Sequence, residues 1–307
     1  MHNLRHLRYV VEAARLGSIT HASRLLRVSQ PAISAAIRGV EVEFRMRIFV
    51  RSPSQGLTLT PSGRSFVNRA RELLDNASEF EQLFSESNDG QLSGRLELAC
   101  YANSAPLLVP PMIQAFSKAH PNVEIGLHEG HMEQVATYLK DGTADLGLTY
   151  DIYLDNNIEI EEVAPLTPFL VVSKKSPLAK KKIVSLKEIV DEPLILLDSP
   201  GMRDYFYSYF NIYNLKPKVL HRPTTYEMVR GLLAAGNGYS IALVKIKNDR
   251  SYDGESLLNI EIEEIPPKVN LVIASLKGHR IGQLAKAFLN ECKNKLQKVA
   301  TGTEKKP

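Results

Sequence analysis

The stretch Ala22-Ser23-Arg24-Leu25-Leu26-Arg27-Val28-Ser29-Gln30-Pro31-Ala32-Ile33-Ser34-Ala35-Ala36-Ile37 decides the reading of this chain. A short helix from Ile19 to Leu26 presents Ala22, small enough for a close helix crossing, and turns Leu25 and Leu26 inward. A tight turn follows at Arg27, Val28 and Ser29. Ser29-Gln30-Pro31 then opens a new helix with a capping hydroxyl and a proline where its missing N–H costs nothing, and Ile33, Ile37, Val40 and Phe44 recur on the buried face. Upstream, Leu4, Leu7, Val10, Val11 and Ala14 fall at helical spacing, with Gly17-Ser18 as stop and next cap, so a supporting helix runs over 4–16. Two helices joined by a few residues behind a supporting helix make a helix-turn-helix.

Working outward, Ile48 to Arg51 and Leu57 to Thr60 read as two short strands around the tip Ser52-Pro53-Ser54-Gln55-Gly56, a wing. Thr60-Pro61 starts a further helix, in which Phe66, Ala70, Leu73, Ala77, Phe80 and Phe84 recur at alternating spacings of 4 and 3. That is a coiled-coil seam. A helix over 61–87 is about 40 Å long at ~1.5 Å per residue, and it needs a partner, of which a second copy of the chain is the simplest. Composition marks 88–94 as a hinge. From Arg95 onward strands alternate with helices: 96–100, 123–127, 146–149, 169–173, 194–197, 240–244 and 269–275 as strands, with helices near 107–120 and 132–141. The expectation is a largely parallel α/β domain in two lobes, with a ligand in the crevice at the carboxyl ends of the strands.

The 307 residues carry a net charge of +4 that conceals an asymmetry. Residues 1–71 hold twelve arginines, no lysine and three acids (Glu12, Glu41, Glu43), a net of +9, whereas the remainder has 26 basic and 31 acidic residues, a net of −5. A basic block at one end is the footprint expected for a polyanion, because each neutralised phosphate releases counterions. No uncharged apolar run approaches the ~18 residues of a membrane span, no export signal is read at the start, and Cys100 and Cys292 are far apart without metal spacing. These features point to a cytoplasmic protein with neither a disulfide framework, a metal site nor a cofactor. None of the eight histidines or the acids falls into a nucleophile elbow, metal spacing or phosphate loop, so no catalytic residue is assigned and an enzyme is not expected.

The spacing of Ala22, Leu25, Ser29-Gln30-Pro31-Ala32, Ser34, Ile37 and Glu41, then Phe49, Arg51 and Leu59-Thr60-Pro61-Ser62-Gly63, resembles the LysR-type transcriptional regulators. The likeness continues in Leu107-Leu108-Val109-Pro110, His120-Pro121-Asn122-Val123-Glu124, Gly142-Thr143-Ala144-Asp145-Leu146, Ser176-Pro177-Leu178-Ala179 and Ala235-Gly236-Asn237-Gly238. It departs where Arg45 stands in place of the family's usual glycine, His21 in place of a frequent alanine and Val40 in place of leucine. The resemblance implies an α+β, multi-domain chain: a winged helix-turn-helix over 1–60, a coiled-coil dimerisation helix over 61–87, the hinge, and a two-lobed α/β effector domain like a periplasmic binding protein over 95–300. Its first lobe takes about 95–165 and 267–300 and its second about 166–266, leaving 301–307 as a disordered tail.

On this reading the recognition helix lies in the major groove. Gln30, Pro31, Ser34 and Ala35 are the candidates for base edges, and Arg38 for phosphate or guanine. Arg51 and Ser54 of the wing, with Arg5 and Arg24, are candidates for backbone phosphate. In the sensing domain Cys100, Tyr101, Ala102, Asn103, Ser104 and His131 sit where strands give way to helices, and the resemblance adds Ser199, Met202, Thr224, Thr225 and Tyr226 from the other lobe. A small carboxylate-bearing or aromatic effector is expected between them. Ser199 and Thr224 also read as plain helix caps, and the aromatic run Tyr205 to Tyr213, with rings on most faces of one helix, reads either as core or as exposed in part at a cleft or subunit contact. Expected partners are promoter DNA, the effector, a second copy or a pair of dimers, and RNA polymerase, with no membrane. A solute-binding protein for uptake and an enzyme with a DNA-targeting head are the competing classes.

Overall fold

The computed structural model describes residues 3–52, 56–84, 92–246 and 248–301. The head contains α1 (Leu4–Arg15), α2 (Ile19–Leu26), α3 (Gln30–Glu43), an antiparallel wing of β1 (Phe49–Ser52) and β2 (Gly56–Leu59), and the start of the long helix α4 (Pro61–Phe84). Asn3, Ser18 and Ser29 each cap their helix by accepting a backbone N–H, from Arg5, His21 and Ala32. Val10, Ala22, Ile33, Val40 and Ile48 are fully buried where α1, α2, α3 and the wing meet. Each large apolar side chain buried there contributes about 1.5–3 kcal/mol.

α2 and α3 are each stopped by a left-handed arginine. Arg27 has φ 53° and Arg45 φ 49°. In each case the residue's own N–H and the next one bond back to the departing helix: Arg27 to Arg24 O with Val28 to Ser23 O, and Arg45 to Val42 O with Met46 to Glu41 O. This is the glycine-type helix stop made without glycine, at a cost of about 1 kcal/mol per site. Arg45 therefore stops α3 as a glycine would, and β1 of the wing begins four residues later at Phe49.

Two expected core residues of the head are not in the core. Leu25 is exposed, because α2 has only eight residues and Ala22 and Leu26 fill its inner face. Phe44 lies past the last turn of α3, and its exposed ring meets Phe66 of α4 edge-on at 5.1 Å.

The effector domain begins one strand-end earlier than expected. Ser93 and Gly94, assigned to the hinge, pair with Asn122 and Val123 in the sheet, while 85–91 lie outside the described residues. Lobe I comprises β3 (Ser93–Tyr101), α5 (Ala105–Ala119), β4 (Asn122–Gly130), α6 (Met132–Lys140), β5 (Leu146–Tyr150), β6 (Ile158–Pro165) and, after the chain returns, β13 (Asn270–Leu276) and α10 (Gln283–Thr301). Lobe II comprises β7 (Phe169–Ser173), a 3₁₀ turn at Pro177–Lys180, β8 (Ile183–Val184), α7 (Leu186–Ile189), β9 (Leu194–Ile195), α8 (Met202–Ile212), β10 (Val219–His221), α9 (Tyr226–Ala234), β11 (Tyr239–Ala242) and β12 (Leu257–Ile262). Of the expected tail, Thr301 closes α10 and 302–307 lie outside the described residues.

The sheets run β4-β3-β5-β13-β6 and β10-β9-β11-β7-β12-β8. They are mixed rather than largely parallel: β13 runs antiparallel to β5 and β6, and β7 antiparallel to β11 and β12. The chain crosses between lobes twice, outward after β6 and back before β13, and the outgoing and returning strands lie side by side in opposite directions. Among the described residues no helix is long and apolar enough to cross a membrane.

Candidate nucleic-acid interface and effector cleft

Pro31, Ala35, Arg38 and Val42 form one exposed stripe along α3, with exposed Gln30 and half-buried Ser34 beside it. The opposite face holds Ile33, Ala36, Ile37 and Val40 in the core. This stripe is small and free of acids, so a helix can sit deep in a groove. Arg24 is exposed on α2. Arg5 is exposed on α1, but with Arg8 it lines a cavity toward lobe I rather than sharing the α3 stripe. Ser54 and the side chain of Arg51 lie outside the described residues.

Two landmarks of the head turn out to be architectural. Glu41 Oε1 accepts the N–H groups of Ile48 and Phe49 at 2.8 and 3.3 Å, tying α3 to the wing. Thr60 Oγ1 donates to Arg47 O at 2.6 Å and accepts Gly63 N–H at 2.9 Å, which folds the corner between wing and α4. Along α4 the expected seam divides. Ala70 is buried in the head's own core and Phe66 half-buried beside it, Ala77 is partly covered, and Leu73 and Phe80 stand exposed; the side chain of Phe84 lies outside the described residues.

In the effector domain α5, α8 and α9 all begin at the junction of the lobes. Tyr101, Asn103, Ser104, Met202 and Tyr226 line a cavity of about 50 Å³ there. Residues not assigned to the effector site from the sequence complete it: Leu107, Tyr150, Leu197, Phe206, Ile241 to Val244, and Ile246. Tyr150 stands at the carboxyl end of β5, so the strand-end rule that found Tyr101 reaches it too.

The lobes are clasped across this cavity. Asn103 Nδ2 donates to Thr224 O at 3.2 Å and to Tyr101 Oη at 3.1 Å, and its Oδ1 accepts Tyr226 N–H at 2.8 Å. His131 Nδ1 meets Ser199 Oγ at 3.2 Å, and Tyr153 Oη donates to Asp204. Ser199 is thus a fully buried interlobe contact rather than a cap, and Thr224 contributes its carbonyl. The cap of α9 is Thr225, whose hydroxyl accepts from Met228 N. Ser104 Oγ donates to Tyr101 O. Ala102 donates its N–H to Gly130 O. A site of about 50 Å³ is far below the ~300–1,000 Å³ usual for small-molecule pockets. Any effector of ring size therefore enters only when the lobes part.

The cavity wall carries no charged side chain among the described residues. Burial raises the hydroxyl of Tyr226 to about 12 and pushes Tyr150 and Tyr101 upward as well. At neutral pH all three are uncharged donors.

Cys100 is not part of this wall. It is buried, donates weakly to His128 O at 3.8 Å, and burial followed by the charge of Glu129 pushes its thiol up to about 11. Cys292 is likewise raised, to about 12, first by burial. Thiolate is the reactive form. Iodoacetamide at neutral pH should leave both cysteines untouched in the folded chain and modify both in guanidinium. Rapid, stoichiometric labelling of Cys100 in the native protein would contradict this and reopen a redox role.

The run Tyr205 to Tyr213 is core on one side: Tyr205, Phe206, Tyr209 and Phe210 are buried. The hydroxyls of Tyr205, Tyr209 and Tyr213 donate to the carbonyls of Pro267, Glu264 and Ile265, the segment returning to lobe I.

Comparison with known proteins accords with this division. Residues 4–64 match the model of the bacterial regulatory helix-turn-helix protein, lysR family, and residues 89–297 that of the LysR substrate binding domain. The crystal structure of HinK, a LysR family transcriptional regulator from Pseudomonas aeruginosa, is 33% identical, covers 97% of this chain and 100% of its own, and superposes with a TM-score of 0.65. The regulator YvbU of Bacillus subtilis is 26% identical over 94% of this chain and 96% of its own. Full-length OxyR of Pseudomonas aeruginosa, at 19% identity, shares the fold over 96% of this chain and 97% of its own with a TM-score of 0.75.

Proposed function

The chain belongs to the LysR family of transcriptional regulators, DNA-binding proteins controlled by small effectors, and from that premise we propose how this member divides the work. The exposed stripe of α3, with Gln30, Pro31, Ser34, Ala35 and Arg38, reads bases in the major groove, while Arg24, Arg51 and Ser54 hold phosphates. Arg5 joins them only when α1 is turned toward DNA. Leu73 and Phe80, exposed on one face of α4, pack against the same helix of a second copy, and two such dimers assemble on one operator. The protein acts in the cytoplasm, performs no chemistry, and its bound form contacts RNA polymerase.

The effector is a compact molecule with an aromatic or apolar body and one or two hydrogen-bonding groups. The observation that carries this is the cleft wall: three neutral tyrosine hydroxyls, Asn103 and Ser104 against Leu107, Met202 and Phe206. A carboxylate there depends on the N–H groups that open α5 and α9. Binding parts the Asn103 clasp, and the change in lobe setting alters the spacing of the DNA-reading heads.

The test is a thermal-shift series with small aromatic acids, phenols and neutral aromatic amides on the full-length protein. A true effector raises the melting temperature saturably, since a ligand at 100 times its Kd adds about 2.7 kcal/mol of stability. The same compound should give no shift with Asn103→Ala/Ser104→Ala, which removes two polar groups of the cavity wall. An unchanged shift in that variant would move the effector out of this cleft.

A further inference from the structure

The head and the effector domain keep separate apolar cores. The head's core is drawn from residues between Leu7 and Leu74, and none of its members belongs to either lobe. What joins them is polar. Arg15, in the last turn of α1, is nearly buried; its Nη1 donates to Glu97 Oε1 on β3 at 3.2 Å while its Nε holds Glu12 at 2.9 Å. Glu97, equally buried, also accepts from Arg95 Nε at 2.6 Å and meets His128 Nε2 at 3.0 Å. Its backbone N–H is held by Asp145 at 2.8 Å.

The sheet is shaped to receive this carboxylate. Gly126 stands opposite Glu97 in register, and a Cβ there would fall 1.9 Å from Glu97 Oε2. Any other residue would lift the carboxylate off the strand. Burial alone would raise Glu97, but His128, Arg95 and Arg15 outweigh it and hold the group at about 2, so it is fully charged at neutral pH. Around this point the contacts are again polar: Arg64 to Asp141 at 3.1 Å, Asn68 Nδ2 to Lys140 O at 3.0 Å, and Arg280 N–H to Glu72 at 3.1 Å. Asn68, Glu72 and Arg280 line, with Arg15 and Glu97, a cavity of about 650 Å³. An interface of ion pairs around a cavity fixes one geometry but has little apolar area to lose on separation.

We propose that Arg15 and Glu97 form a latch that docks the DNA-reading head onto lobe I of its own chain, and that releasing it frees the head to change its setting. The strand presenting Glu97 ends four residues later at Tyr101, in the cleft wall, a span of roughly 13 Å at ~3.3 Å per residue. One strand thus joins the latch to the effector cleft.

The test uses full-length protein with spin labels on His21→Cys and Lys118→Cys, both at exposed positions, one in the head and one in lobe I. Labelled chain is mixed with excess unlabelled chain so that each assembly carries one pair, and the distance is read by pulsed electron resonance. The parent should give one narrow distance. Arg15→Gln and Glu97→Gln should each lower the docked population at least about tenfold relative to the undocked, because either removes the charge-assisted hydrogen bond that crosses the interface and leaves the surviving group only the partners on its own side. The double variant should fall no further than the single ones. Circular dichroism matching the parent secures the fold, and Arg15→Gln, altering only the rim of the head, serves if Glu97→Gln does not fold. A narrow peak surviving in either single variant, or a double variant whose loss is the product of the two, overturns the latch.

Discussion

Arg38→Ala should weaken binding to the duplex upstream of the protein's own gene from about 30-fold to more than 10⁴-fold, with almost no change in thermal stability. The range follows from about 1–3 kcal/mol for one arginine at a base or phosphate, doubled because each of two heads carries the change. Stability is spared because Arg38 is exposed on α3 and supports no core contact. Gel shifts over a salt series separate the two roles open to Arg38. A phosphate contact lowers the salt slope by about 0.9 for each lost contact. A guanine contact leaves the slope and relaxes the preference at one base. An affinity unchanged from the parent would remove α3 from the interface.

Gly63→Val should be as damaging to the fold as Arg38→Ala is to binding. A Cβ at Gly63 would lie 2.1 Å from Ile48 O and 2.8 Å from Ile48 C, backbone atoms that cannot swing aside. The start of α4 must then move off the wing and break the Thr60 corner, whose hydroxyl joins Arg47 O to Gly63 N–H. Forcing atoms into a packed site costs about 1–3 kcal/mol and sometimes more. For a head of some sixty residues this is a fall of roughly 10 °C or greater in its melting transition. Gly39→Ala is the contrast: nothing lies within 4 Å of its added Cβ, so it should stabilise the helix by about 0.5–1 kcal/mol. Differential scanning calorimetry of both variants decides; a Gly63→Val head that melts with the parent would show that the corner is not close-packed.

The head was legible in the sequence almost to the residue, because caps, turns and periodicity are local. Ser18 and Ser29 do what their positions announce, and even the left-handed arginines sit where the helix stops require them. Burial was less legible. Leu25 and Phe44 have the right spacing for the core, yet a short helix and a helix end leave them outside, which depends on neighbours that spacing does not reveal. The seam of α4 shows the same limit: among its described side chains Ala70 belongs to the head's own core, Ala77 is partly covered, and Leu73 and Phe80 are exposed.

In the effector domain the strands buried on both faces were readable as apolar runs. The edge strand β6 and its counterpart β12, one place in from the edge of the second sheet, were not, for acids interrupt them: Glu159, Glu161 and Glu162 in one, Glu261 in the other. With those strands went the antiparallel pairing. Cleft residues at strand ends, such as Tyr101 and Asn103, could be named in advance, and the aromatic run holding Phe206 was one candidate for a cleft; those contributed by side-chain packing, such as Leu107 and Leu197, could not. Nor could the meeting of Arg15 with Glu97, which are 82 positions apart and joined by no pattern.

The most direct test of the account is sedimentation velocity of a fluorescent duplex from the upstream region, titrated with the full-length chain at low salt. The account expects the duplex to move as a complex carrying two or four chains, dissociating steeply as salt rises. A duplex that sediments alone at every protein concentration, beside a chain that remains a monomer, would contradict it.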